Sequence, residues 1–469
     1  MSLVVRVPRD GCLQERAFIA EILLGDRLGL AYQLEPADIG QVEIRGEDGR
    51  SLEMVDRFFN AAASSWLDPA TLPSRPLQYW PLEPGEIPGL PAGGSLPIIY
   101  GGNLGSGPLL SRSRRGTYLA LDVFGSCFFM LTRYEEAAAP LRDWADRFPA
   151  EASLAKGEGF LTRPVVDEYV ELLWRELALL WPGLVRRETR YSLRLSHDVD
   201  WPYATVGVPL GVSLRKLAGD VLVRRSPSLG LQRMRSLIAR GEASYALDPN
   251  NTFDFIMDTS ERNGHQSVFN FIAGHTAPGD MDGVYDLDQP WIRKLLRRCA
   301  ERNQEVGIHP SFGTFRNGLA LGAEFANLAR AAAAEGIRQP SFGGRQHYLR
   351  WEASITWRLY QEAGLSYDST LGYAESPGFR CGTCHPFRTY DLQGRRALPL
   401  VERPMVVMDV TLMGGQYMKV SPAQAMDLIQ GLVDQCRAYR GEFVLLWHNS
   451  NLLTADDRHF YQELVQSAG

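Results

Sequence analysis

The sequence predicts an α/β protein, a closed or nearly closed β/α barrel preceded by an α+β accessory module. From about Tyr191 onward, short apolar strands alternate with segments whose apolar residues fall at helical spacing, the rhythm of parallel β/α units. Roughly six to eight such units over about 270 residues suit a barrel, and no glycine-rich GxGxxG opens the first helix as an open dinucleotide-binding sheet requires. The stretch before them instead holds much of the Pro and Gly punctuation.

Taken in order, residues 1–186 form the accessory module. LDPATLPSRPLQYWPLEPGEIPGLPAGGSLP is connecting chain, because its prolines break helices and central strands alike. YLALDVFGSCFFMLTRYEEAA is a buried apolar segment ending in charge, and PVVDEYVELLWRELALLW repeats apolar residues at helical spacing. Residues 187–469 form the barrel. Its strands are SLRLSHD, SVFNFIAG, EVGIHP, LSYDSTLG, MVVMDVTLM and EFVLLWHNS. Its helices are FDFIMDTSERNG, QPWIRKLLRRCAERN, FANLARAAAAEG, WEASITWRLYQEAG and PAQAMDLIQGLVDQCRAYRG. An insertion at 211–240 carries seven basic residues (Arg215, Lys216, Arg224, Arg225, Arg233, Arg235, Arg240) against Asp220 alone, a local charge of +6. Leu214, Leu217, Val221 and Leu222 there fall at helical spacing, so it is expected to be a solvated helical face or a surface for anionic lipid or a phosphorylated substrate.

Composition bounds the function. At 45% hydrophobic, 22% charged and 10% aromatic, the 469-residue chain can bury a sizeable core. Its net charge of -6 gives no footprint for a nucleic-acid partner. The N-terminus lacks the apolar core of a signal peptide, and no stretch of about 18 apolar residues predicts a spanning helix. The expected location is therefore cytoplasmic. Six mostly isolated cysteines fit free thiols rather than a disulfide framework.

In a parallel barrel, chemistry gathers at the C-terminal ends of strands. There the sequence places His197, Asp198 and Asp200, then His309, then Arg345, His347 and Arg350, then Asp368, then His448 and Asn449. Buried carboxylates and imidazoles are costly unless paired or metal-bound. An aspartate with two imidazoles suits Zn²⁺ or a similar divalent ion, leaving a position for water, while a free carboxylate serves as base and a separate imidazole protonates a leaving group.

In that order HDVD, GIHPS, GRQHYLR, YDST and LLWHNS resemble the five motifs of the polysaccharide deacetylases (carbohydrate esterase family 4, NodB homology), over roughly residues 190–455. The upstream FFMLTRYEEA is similar to the accessory domain of a bacterial subgroup. The resemblance implies a distorted (β/α)7-type barrel. By motif it makes Asp198 the catalytic base, Asp200 and His309 metal ligands, Arg345 the residue that orients the base, and His448 the general acid. The family's second motif has two metal histidines four residues apart, but Gly313 stands four after His309. The third ligand is then expected from His347 or His197, with His347 favoured. Asp368 and Arg380 are expected to shape the substrate groove, with Tyr348 and Trp201 among the aromatics that stack on sugar rings.

CGTCH at 381–385 matches the pattern of covalent haem attachment. No export signal accompanies it, and Gly382 and Pro386 disfavour the helix that a redox CxxC opens. Its expected role is loop shape, with Arg380 and His385 as substrate contacts. The function expected is metal-dependent deacetylation of an N-acetylated sugar in a polysaccharide or its lipid-linked precursor, with the basic insertion touching an anionic membrane. The alternative is a degenerate deacetylase fold that binds carbohydrate or scaffolds polysaccharide biosynthesis.

Overall fold

The computed structural model describes residues 3–90, 94–102, 107–413 and 415–469. β1 (Leu3–Pro8) pairs in parallel with β2 (Tyr32–Ala37) and antiparallel with β3 (Gln41–Arg45), which turns back into β4 (Ser51–Val55). β5 (Gln78–Pro81) and β6 (Ser95–Ile98) make a small ribbon within the proline-rich stretch. β7 (Leu110–Arg112) and β8 (Gly116–Leu119) complete a six-stranded sheet in the order β2-β1-β3-β4-β8-β7. Alternation along LVVRVP buries Leu3, Val5 and Val7 completely. The helix Val123–Leu131 is apolar all round because every residue in it is buried. Asp122 caps it, taking the Gly125 amide at 2.7 Å and those of Arg57 and Phe58 at 2.8 Å.

The second sheet holds β9 (Ser192–Val199), β10 (Ser267–Phe271), β11 (Glu305–Ile308), β12 (Gly343–Gly344), β13 (Tyr367–Asp368), β14 (Phe387–Asp391), β15 (Arg396–Glu402), β16 (Val407–Met408) and β17 (Glu442–Leu446). Their order is β14-β15-β13-β12-β11-β10-β9-β17-β16, parallel throughout except β14 against β15. Helices Phe253–Arg262, Pro290–Glu301, Gly318–Ala334, Thr356–Glu362 and Pro422–Ala438 fall between strands. β10 is buried at all five positions, which is why it reads as a continuous apolar run. The segment MVVMDVTLM, expected as a strand, pairs only at Val407 and Met408, and Asp409 opens the short helix Asp409–Met413.

Two glycines let the sheet close up beneath the site. A Cβ on Gly344 would lie 1.9 Å from the Ile308 carbonyl oxygen, and one on Gly343 would lie 2.3 Å from the Tyr367 ring. Only glycine permits β12 at this spacing, and Arg345 follows immediately.

One hydrophobic core runs from β1 through to the C-terminal helix, so the two sheets share an interior. Buried charge joins them: Glu136 accepts from Arg133 Nε at 2.8 Å and from Arg380 Nη2 at 2.6 Å. The basic insertion folds as two helices, Leu210–Leu222 and Pro227–Ile238. Among the described residues, no helix is long and apolar enough to cross a membrane.

Candidate active site

β9 is flanked by β10 and β17, and its end delivers two carboxylates two residues apart, which in extended chain share one face. Asp198 is buried, and its Oδ1 accepts from Asn270 Nδ2 at 2.8 Å and Arg345 Nη1 at 3.0 Å. Burial raises its pKa, but the charges of Arg345 and His309 more than offset this and hold the carboxyl below the usual range. Its second oxygen lies 3.8 Å from His309 Nδ1.

Asp200 stands at the centre. Its Oδ1 is 3.1 Å from His309 Nε2 and 3.8 Å from His347 Nε2, and its Oδ2 is 3.6 Å from His448 Nε2. The outer nitrogen of each imidazole is already tied: His309 Nδ1 to the Arg345 carbonyl at 2.5 Å, His347 Nδ1 to Asp282 Oδ1 at 2.9 Å, and His448 Nδ1 to Asp409 Oδ1 at 2.7 Å. With those nitrogens donating, each Nε2 presents a lone pair to the centre when neutral.

Asp200, His309 and His347 bring their ligand atoms within 4.8 Å of one another. Asp200 Oδ1 is buried and receives no hydrogen bond of ordinary geometry, although two imidazole nitrogens face it. A buried acceptor left open between two nitrogens whose sister atoms are anchored is the donor set of a divalent-cation site, and the residues fit one. His197 is not part of it. Its ring bonds the Trp447 carbonyl at 2.7 Å and Ser267 Oγ at 3.2 Å, and burial pulls its pKa down to about 4.

Gly313 is committed elsewhere. Its amide donates to Thr276 Oγ1 at 2.6 Å, and a Cβ there would come within 3.0 Å of that oxygen. His347 lies on a turn where Tyr348 and Leu349 adopt φ of 58° and 55°.

The centre opens into a cavity of about 190 Å³ whose lining includes Asp198, Asp200, Trp201, His309, His347, Tyr348 and His448. Asp368 and Arg380 lie outside that lining. Asp368 bonds Thr370 in the interior, and Arg380 is spent on Glu136 and on the Gly372 carbonyl at 2.9 Å. Arg345 sits behind Asp198, its Nη2 on Ser196 Oγ at 2.9 Å.

Three participants were missed from sequence. Asp282 also takes the amides of Thr276, Ala277 and Phe312 at 2.7 to 2.9 Å. Burial raises its pKa, but His347 and those amides bring it to about 2. Asp409 takes the His448 amide at 2.8 Å as well as its ring. Arg147, upstream of residue 186, lines the cavity beside Tyr417. Asp282 lies in a loop, Asp409 falls inside a segment whose composition reads as continuous strand, and Arg147 lies far upstream of the strand ends.

The CGTCH loop joins the two sheets. Asp167 accepts from Thr383 Oγ1 and the Cys384 amide at 2.9 Å and pairs with Arg27 at 3.0 Å, while His385 Nε2 bonds the Tyr439 carbonyl at 2.9 Å. Its ligand-type atoms cluster, but the carboxylate is already saturated by donors. His385 and Arg380 face this joint and not the cavity.

Residues 4–182 match the model of one family, described as a family of unknown function (DUF7033). No curated protein matches the chain. Solved structures that align with it include a polysaccharide deacetylase from Mycobacterium smegmatis, at 15% identity over 60% of this chain and 84% of that one, with a TM-score of 0.38. PuuE allantoinase aligns at 10% identity over 61% and 85%, with a TM-score of 0.35. Agd3, described as a novel carbohydrate deacetylase, aligns at 9% identity over 100% of this chain and 84% of its own, with a TM-score of 0.38.

Proposed function

We propose that the chain is a metal-dependent amide hydrolase that removes acetyl from an N-acetylated sugar of a polysaccharide or its precursor. The observation that carries this reading is the open Asp200 Oδ1 facing His309 and His347, flanked by Asp198 and by His448. A divalent ion, zinc by the nitrogen-rich donor set, supplies Lewis acidity to the acyl carbonyl and to water when Asp200, His309 and His347 hold it. Asp198 takes the proton of the attacking water, and Arg345 and Asn270 hold its other oxygen so that only one edge is offered. His448, fixed by Asp409, gives a proton to the departing amine. Trp201 and Tyr348 offer ring faces to the sugar. In this reading the accessory module ends near residue 186, the catalytic half is a distorted barrel, and six unpaired cysteines support a reducing, cytoplasmic setting.

The test is metal content together with acetate release from a panel of N-acetylated saccharides. Wild type is expected to retain about one ion per chain, and Asp198→Asn and His448→Ala to lose about 10²- to 10⁴-fold in rate while keeping fold and metal. Protein that neither retains metal nor releases acetate overturns the reading. The second reading, a carbohydrate-binding protein on a degenerate deacetylase fold, rests on Gly313; its mark is sugar binding that survives chelator and Asp200→Ala.

A further inference from the structure

The helical pair that follows Asp200 leaves many of its apolar side chains exposed. Of the large hydrophobic residues exposed on the described surface, Val223 is 81%, Leu222 75% and Ile238 74% accessible, and all three lie in this pair. On the helix Pro227–Ile238 the exposed residues Leu231, Met234 and Ile238 are spaced by three and four, one continuous stripe. Val221 and Leu222 end the first helix and Val223 opens the turn, so the tip of the hairpin is apolar too.

Exposed arginines border these residues. Arg215, Arg225, Arg235 and Arg240 are exposed, and among the described residues none has a carboxylate partner. The hairpin's one acid, Asp220, is consumed internally, taking Arg233 Nε at 2.5 Å and Arg224 Nη1 at 2.8 Å and so clamping the second helix to the first. Apolar side chains interleaved with unpaired arginines are complementary to a surface with an acyl interior and anionic headgroups. A protein partner of mixed charge would leave the arginines unmatched.

The hairpin is also rooted at the cavity. Lys216 Nζ lies 5.2 Å over the ring of Trp201, which lines the site next to Asp200, and Thr205 Oγ1 meets Ser236 Oγ at 2.6 Å.

We propose that the hairpin 210–238 docks on an anionic lipid bilayer and holds the cavity at the membrane surface, where its substrate is a lipid-linked form of the amino sugar. This rests on the hydrolase reading for the substrate, but not for the docking.

Vesicle flotation of the full chain tests it, with vesicles of phosphatidylcholine alone and with 30% phosphatidylglycerol, taken as roughly the anionic content at which basic patches bind. Recovery is expected only with the anionic vesicles, to fall as salt rises, and to drop by about tenfold or more in Arg215→Glu/Arg225→Glu/Arg235→Glu and in Leu222→Ser/Val223→Ser/Ile238→Ser. Equal recovery on both vesicles, or binding that neither variant weakens, overturns docking. So does concentration-dependent self-association that both variants abolish in protein that ignores lipid, since a second copy then covers the face. Acetate release is followed in the same preparations: on a water-soluble N-acetylated oligosaccharide the variants should match wild type, and on a vesicle-borne amino sugar they should fall about tenfold. Equal rates on the vesicle-borne substrate overturn the lipid-linked assignment. Flotation without any hydrolysis retains the docking and rejects the hydrolase reading instead.

Discussion

His347 and Asp282 form a buried pair, Nδ1 to Oδ1 at 2.9 Å, that turns the other imidazole nitrogen toward Asp200. Anchoring the outer nitrogen fixes both tautomer and ring orientation, and loss of such a partner typically costs about 10- to 100-fold in metal affinity. Asp282→Asn is therefore expected to weaken zinc retention by that factor in a chelator competition, and His347→Ala by more. An unchanged affinity in both variants would mean that the ion is held without His347.

The Gly313 amide donates to Thr276 Oγ1 at 2.6 Å and a Cβ there would lie 3.0 Å from that oxygen, so a histidine at 313 is expected not to replace His347. Gly313→His in a His347→Ala background is expected to leave metal content at the level of His347→Ala alone. Restoration to wild-type stoichiometry would show that the Thr276 contact yields easily.

These details mark what was legible in the sequence. Asp198, Asp200, His309 and His448 end apolar runs, Arg345 and His347 follow Gly343–Gly344 and stand out with the family's motifs, and the structure brings all six to one place. Asp409 was hidden, because MVVMDVTLM has the composition of a strand while only Val407 and Met408 find a ladder partner before the aspartate turns to His448. Asp282 comes from a loop with neither periodicity nor motif. Arg380 and Asp368 resembled groove residues, yet their side chains point into a buried ion pair with the distant Glu136 and a buried carboxyl pair with Glu402, neither of which periodicity reveals.

Glu136 is buried between the guanidinium groups of Arg133 and Arg380. Removing it leaves Arg380 as an uncompensated buried charge, for which about 3–5 kcal/mol is the usual penalty, while Arg133 keeps Glu135 at 2.6 Å. Glu136→Ala is expected to lower the urea midpoint accordingly, whereas Glu151→Ala, at an exposed side chain, should leave it nearly unchanged. Equal midpoints for the two variants would show that the joint between the sheets is not held by this charge.

Asp368 and Glu402 share an interior site. Burial, and for Glu402 also the charge of Asp368, raises both carboxyls, Asp368 from 3.8 to about 7 despite its bonds to Thr370. The folded state therefore keeps a proton that the unfolded chain releases near pH 4, so this contribution to stability is complete below about pH 4 and is lost as pH rises through about 7. Glu402→Gln removes the neighbouring charge and keeps the shape that accepts from Trp357 Nε1 at 2.9 Å. Unfolding midpoints compared at pH 5 and pH 8 are expected to drop less in the variant than in wild type. A drop as large as wild type's would place the titration elsewhere.

Arg147 brings the segment before residue 186 into the cavity lining. Its Nε is held by Asp143 Oδ2 at 2.9 Å, its Nη1 reaches the Tyr348 carbonyl at 3.3 Å, and its guanidinium lies 5.6 Å from the centre of the Trp144 ring. The loop is pinned from the other side by Arg350, which bonds the Ala145 carbonyl at 2.9 Å and Asp146 at 2.7 Å, so its position relative to His347 is fixed. Trp144 meets Tyr348 edge to face at 5.9 Å while 64% of its surface stays open, so under the proposed function it is expected to stack on a sugar beyond the reacting one. If a saccharide occupies the cavity, both side chains are expected to act through binding. Trp144→Ala and Arg147→Met are expected to raise KM severalfold on oligosaccharides, to leave kcat within about twofold, and to change little on a monosaccharide. A fall in kcat with KM unchanged would instead make the loop of Trp144 and Arg147 part of the reacting centre.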